Sequence, residues 1–187
     1  MKKSIGAKTI VFPTPVFIVG SYDNEGRPNV MTAAWSGICC SDPPCIAVSV
    51  RHSRYTHQNI VSRKAFTINV PSEEHAGIAD YFGIASGKNK DKVSAAGLTA
   101  VKSELVEAPY IQEFRLVLEC RLVNTVELGS HAQFIGQIMD VKADEEVLQK
   151  GAPDIEKVKP LIYAPSTTKY YGIGSFAGEA FSIGKKI

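Results

Sequence analysis

The sequence predicts a mainly β protein, an antiparallel barrel that is closed or nearly so, with helices on its outside. Three observations carry this. Short, β-branched apolar runs recur, each bounded by turn residues: FIVGSY from Phe17, CIAVSV from Cys45 and FTINV from Phe66. One long stretch, residues 114–141, alternates apolar and polar side chains around a single tight Leu128-Gly129-Ser130 connection. Helical patterns appear only after the third and fourth strands, so nothing supports the regular strand–helix alternation of a doubly wound parallel sheet.

Taken in order, the first strand covers residues 17–22 and turns through Asp23-Asn24-Glu25-Gly26-Arg27-Pro28. A second strand is expected over residues 29–38. Small residues at Ala33, Ala34 and Gly37 would let another molecule approach its backbone. After Ser41-Asp42-Pro43-Pro44 comes a third strand, residues 45–50, and then a helix over residues 53–64 with Ser53 as its N-cap. A fourth strand, residues 66–70, stops at Pro71, and a second helix covers residues 73–85. Residues 86–97 read as a lysine-bearing loop. The two long strands follow, then a turn of helix near residues 144–150 and two short strands, residues 161–164 and 169–173. The whole chain, residues 1–187, is expected to form one domain.

Composition excludes several functions. Lysine plus arginine number 21 against 19 acidic residues, a net charge of +2, which is too balanced for a general nucleic-acid binder. No apolar run reaches membrane-spanning length and the N-terminus lacks a signal-peptide core, so a cytoplasmic protein with no membrane role is expected. Cys39, Cys40, Cys45 and Cys120 are expected to be thiols, the first three buried. Their spacing is not that of a zinc site. His52 and His57 stand five apart and do not share a helix face, so no metal is expected.

The block most suited to chemistry runs from Ser49 to Thr56. A strand that ends in Ser-Val-Arg and hands over to a helix through Ser-Arg-Tyr-Thr presents unpaired N–H groups, hydroxyls and guanidinium groups to an anion. An ordinary capped helix with solvated arginines is the competing reading. Two other glycine patterns mislead. Residues 83–89 are one short of a P-loop and carry Asn89 where a hydroxyl is needed. Gly172-Ile173-Gly174 lacks the third glycine and the βαβ unit of a dinucleotide fold.

Several segments in order carry a family likeness: Thr14-Pro15-Val16, Asn29-Val30-Met31-Thr32-Ala33-Ala34-Trp35, Ser49-Val50-Arg51-x-Ser53-Arg54-x-Thr56, Phe66-x-Ile68-Asn69-x-Pro71, Ser86-Gly87-x-x-x-Asp91-Lys92, Gly129-Ser130-His131-x-x-Phe134-x-Gly136 and Tyr170-Tyr171-x-x-Gly174. Through these the chain resembles the flavin reductase-like, FMN-binding split-barrel family and, within it, the flavoredoxins. The resemblance implies a six-stranded antiparallel Greek-key split barrel that forms homodimers and binds FMN.

It also implies site residues. Asn29, Val30, Met31, Thr32 and Ala33 would meet the ring and ribityl chain, while Ser49, Val50, Arg51, Ser53, Thr56, Ser86 and Lys92 would serve the ring edge and phosphate. Trp35 and His131 would flank the flavin, with His131 where a nicotinamide binds in reductase relatives. Tyr163 stands where relatives often place an aromatic, and no stacking role is assigned to it. The implied functions are electron transfer from a protein donor or NAD(P)H, flavin reduction by NAD(P)H for a partner, or non-catalytic flavin binding. A cofactor-free barrel serving only assembly is the remaining alternative.

Overall fold

The computed structural model describes residues 1–186. Seven strands form the main sheet: β1 (Phe17–Tyr22), β2 (Pro28–Ala33), β3 (Ser36–Ser41), β4 (Pro44–Arg51), β5 (Ala65–Asn69), β6 (Leu116–Leu128) and β7 (His131–Ala143). Their order is β2-β1-β5-β6-β7-β4-β3, and every neighbouring pair is antiparallel. The count is seven rather than six because the expected strand over residues 29–38 is two strands, broken at Ala34 and Trp35. The chain swings there from one edge of the sheet to the other. The Trp35 carbonyl then accepts the Ser49 N–H at 2.9 Å, which ties the crossing to β4.

Strands β1, β2, β4 and β5 are buried on both faces. Met31 and Ala33 of β2 share one core with Val48 and Val50 of β4, together with Val19, Ile60, Phe66, Ile68 and Phe134. The alternate residues of β1 and β2, Ile18 and Val30, face outward into a second core under the helices, with Ala79, Phe82 and Val93. A period-2 pattern with both faces apolar forces this two-sided burial. Where β7 crosses the Phe66 ring it carries Gly136, because a Cβ there would lie within 2.5 Å of the ring and 2.9 Å of the Cys120 Cβ. The β6–β7 register shifts at the same place, between Ile135 and Gly136.

Three helices pack against β2: α1 (Tyr55–Arg63), α2 (Ala76–Ile84) and α3 (Lys92–Ala95). The last lies inside the stretch expected to be a loop; Asp91 caps it by accepting the Ser94 N–H at 3.1 Å. A separate three-stranded sheet joins Thr14–Pro15, Ile162–Ala164 and Lys169–Tyr171. Among the described residues no helix is long and apolar enough to cross a membrane. Cys45 and Cys120 are buried, but Cys39 and Cys40 are exposed on the edge strand β3, against the expectation of burial. An edge strand has only one sheet neighbour to cover it.

Candidate functional site

The start of α1 is fixed from behind by the β1–β2 turn. Asp23 is buried, and its carboxylate accepts from the Glu25 and Arg27 N–H groups, each at 2.9 Å, from Arg27 Nε at 2.8 Å and from the Tyr55 hydroxyl at 3.0 Å. Burial pushes the Asp23 pKa up, but these donors outweigh it and hold the group below its ordinary value. Arg63 of α1 donates to the Asp23 carbonyl as well. Tyr55 is the first residue of the helix, so this network sets where the helix begins.

That beginning lies one residue later than the expected Ser53 cap. Arg54, not Ser53, is the N-cap, no side chain caps it, and the first turn carries no acidic residue. The leading N–H groups of an α-helix have no partner within the helix. Here they open, with the positive end of the helix dipole, onto a small compartment of about 210 Å³. Asn29, Arg51, Ser53, Arg54, Thr56, Ser86, Gly87 and Lys92 are among the residues that line it. Three cations and several hydroxyls are present, and no carboxylate.

Three of these residues, Asn29, Thr56 and Lys92, are buried. Lys92, only 4% exposed, donates from Nζ to the carbonyls of Phe82 at 3.1 Å and Ala85 at 3.0 Å, at the end of α2. An ammonium has three N–H donors, so one is left to face the compartment. Burial first, and then the positive charge of Arg54, push the Lys92 pKa down to about 8. Asn29 donates from Nδ2 to Thr56 Oγ1 at 2.8 Å and to Ser21 Oγ at 3.2 Å. Its Oδ1 is buried without a hydrogen-bond partner. Because Asn29 occupies the Thr56 lone pair, the Thr56 hydroxyl hydrogen is free to point elsewhere.

Met31, Arg51 and Arg54 also line a wider cleft of about 380 Å³ beside this compartment. Thr32, Ala33, Ala34 and Trp35 line it, with Ser49 and Val50 of β4, Gly83 and Ile84 of α2, and Tyr163 and Tyr170. The two tyrosine rings are 5.6 Å apart, and the Tyr170 hydroxyl donates to Asp80 Oδ1 at 3.1 Å. Thr32 Oγ1 donates to the Ala79 carbonyl, which holds β2 against α2. His131 stands at the rim, paired in register with Arg51 across β7 and β4. Burial, followed by the charges of Arg51 and His52, lowers the His131 pKa.

The two spaces therefore gather Asn29, Met31, Thr32, Ala33, Trp35, Ser49, Val50, Arg51, Ser53, Thr56, Ser86, Lys92 and His131. Val30 is the exception: its side chain lines neither space and packs in the core beneath α2. Alternation along β2 explains this, since Val30 lies between Asn29 and Met31, which face the other way. Sequence reasoning named no site role for Tyr55, Gly83, Ile84, Gly87, Asp80 and Tyr170, and it set Tyr163 aside. Only a three-dimensional fold brings residues 80–87 and 163–170 to the same cleft.

The donor set and shape suit a flat ring carrying a phosphate. The cations, the uncapped helix and the spare Thr56 and Lys92 donors suit a doubly charged phosphate. The unpartnered Asn29 oxygen suits the hydroxyl donors of a polyol chain.

Comparison with known proteins points the same way. Residues 9–172 match the family described as flavin reductase like domain. The flavoredoxin of Desulfovibrio vulgaris (Miyazaki F) is 54% identical, with a TM-score of 0.94 over 98% of this chain and 100% of that one. Flavoredoxin from Methanosarcina acetivorans is 32% identical, with a TM-score of 0.93 over 100% of this chain and 98% of that one. A high molecular weight rubredoxin of Moorella thermoacetica is 35% identical over 115 residues, which are 60% of this chain and 47% of that protein.

Proposed function

We propose, from the premise that this chain belongs to the flavin reductase-like domain family, that it binds FMN and works as a flavoredoxin-type electron carrier. The observation that carries the proposal is the acid-free, cationic compartment at the uncapped start of α1, opening beside a cleft lined in part by the small side chains of Thr32, Ala33 and Ala34. Arg51, Arg54, Lys92, Thr56 and the first N–H groups of α1 would hold the phosphate. Asn29 Oδ1 would accept from the ribityl chain. The small side chains of Thr32, Ala33 and Ala34 leave room for the ring, and Trp35, Tyr163 and Tyr170 keep water from its sides. When bound, FMN supplies a carrier that takes up two electrons and passes them on singly or together.

A protein donor is the first reading because the likeness is to flavoredoxins over nearly the whole chain. NAD(P)H-driven flavin reduction is the second reading, and His131 at the same rim supports it. The FMN-loaded protein should be mixed anaerobically with NADH, NADPH and a reduced, acidic iron–sulfur protein while flavin absorbance is followed. Rapid bleaching by the protein donor, with no turnover from either nucleotide, is expected. Bleaching by a nucleotide alone would establish the reductase reading, and failure to take up any flavin would remove both.

The proposal extends to a homodimer. Ile38 of β3 and Val123 and Leu128 of β6 are apolar yet 66%, 51% and 51% exposed. Sedimentation at micromolar concentration should give twice the chain mass; a monomer would contradict this extension. Four free thiols suit work in a reducing cytosol, and the small net charge gives no reason to add a nucleic acid to the partners.

A further inference from the structure

We propose that His52, His57 and Glu127 bind a divalent transition-metal ion, with Zn²⁺ as the occupant. The two histidines do not share a helix face, and they do not need to. His52 lies in the turn after β4, His57 lies in the first turn of α1, and the turn folds one ring back on the other. Their ring centroids are 5.0 Å apart. Glu127 comes from β6 across the sheet, and its Oε2 sits 2.6 Å from His52 Nε2. One ligand atom from each of the three residues lies within 4.8 Å of the other two.

Four-coordinate Zn²⁺ holds nitrogen and oxygen ligands at about 2.0–2.2 Å, which places them about 3.3–3.6 Å from one another. Small side-chain rotations cover the difference. Two imidazoles and one carboxylate are a borderline set that suits Zn²⁺ and leaves a position for water.

The surroundings give each ligand a reason to be there. His57 packs on Phe134 with ring centroids 5.2 Å apart, and its Nε2 is buried without a hydrogen-bond partner. Such a nitrogen needs a hydrogen-bond partner or, when it carries no proton, a metal. Glu127, Ala132 and Val50 are aligned across three adjacent strands, so their side chains share one face of the sheet. Arg51 and His131 are the next aligned pair and take the opposite face. The start of α1 disfavours a nearby cation, and the Glu127 carboxylate offsets that.

Exposed Cys39 and Cys40 compete for Zn²⁺, so the test uses the full chain carrying Cys39→Ser and Cys40→Ser. Calorimetric titration with Zn²⁺ alone should give one ion per chain. His52→Ala and Glu127→Gln, both at exposed positions, should each weaken binding by more than about tenfold. Zn²⁺ should also raise the melting temperature of the parent and not of these variants. His57→Ala removes the half-buried ligand, and the two exposed variants decide the matter if it does not fold. Absence of Zn²⁺ binding by the parent, or binding unchanged in either exposed variant, would overturn the proposal. FMN uptake plays no part in these readouts, so they stand apart from the flavin reading.

Discussion

Lys92→Met is expected to weaken FMN binding by about 10- to 100-fold, or about 1.5–3 kcal/mol, the range for a hydrogen bond to a charged group. Two of the three Lys92 donors are spent on the α2 carbonyls of Phe82 and Ala85, so the buried ammonium cannot swing away from the compartment. The loss is therefore of a positioned charge rather than a mobile one. Lys92→Arg, which keeps the charge but not the fit, should lie between the variant and the parent. Thr56→Ala should cost less, about tenfold, because it removes one neutral donor and releases Asn29.

The same lysine predicts a pH dependence whose sign is fixed. In the free protein its pKa lies at about 8. A bound phosphate favours the charged form and raises that value. A group whose pKa is raised on binding contributes fully below its free-state pKa and loses that contribution as pH rises through the bound-state one. FMN affinity should thus be level from neutral pH to about pH 8 and fall above it. The Lys92→Met variant should lose this decline. A parent whose affinity stays flat through the alkaline range would show that the ammonium does not meet the phosphate.

Gly87→Val is the other large effect, and it works by filling space. A Cβ at Gly87 would overlap the Asn29 side-chain oxygen and come within 3.0 Å of Asn29 Cγ. Asn29 cannot yield easily, because it is 4% exposed and held by Ser21 and Thr56. Either the loop moves out or Asn29 releases Thr56, and overpacking of this kind costs about 1–3 kcal/mol. Both outcomes take apart the compartment, so FMN affinity should fall by about 10- to 100-fold while the barrel core stays folded. Gly37→Ala, where a Cβ meets nothing within 4 Å, is the matched control and should bind FMN like the parent. Equal affinities in Gly87→Val and the control would mean that this loop does not border the phosphate.

Local pattern was enough for most elements. FIVGSY, CIAVSV and FTINV became β1, β4 and β5 almost to the residue, because apolar β-branched runs between turn residues have few other ways to be buried. The break at Ala34 and Trp35 was not legible. It exists because the chain must cross from one sheet edge to the other, a demand of topology rather than of local preference. Ser53 was the obvious cap from sequence, but the Asp23–Tyr55 bond moves the helix start to Arg54. That partnership spans 32 residues and leaves no local trace.

The site was legible in the same uneven way. The Ser49–Thr56 block carries its chemistry in adjacent residues, so hydroxyls, arginines and a helix start could be read together. Local pattern made Lys92 one of several loop lysines, the family resemblance alone singled it out, and the end of α2 is what makes it a buried one. Tyr163 and Tyr170 reach the cleft through a small sheet whose pairing no periodicity announces. His52 and His57 illustrate the reverse error. Helix spacing separated them, but His52 is not in the helix.

The central claim is that the compartment at the start of α1 recognises a phosphate. The most direct test is a side-by-side fluorescence titration of flavin-free protein with FMN and with riboflavin, which differ only in that group. The geometry predicts FMN bound more tightly by about 100-fold or more, as expected for several charge-assisted bonds. Equal affinities for the two flavins would contradict it.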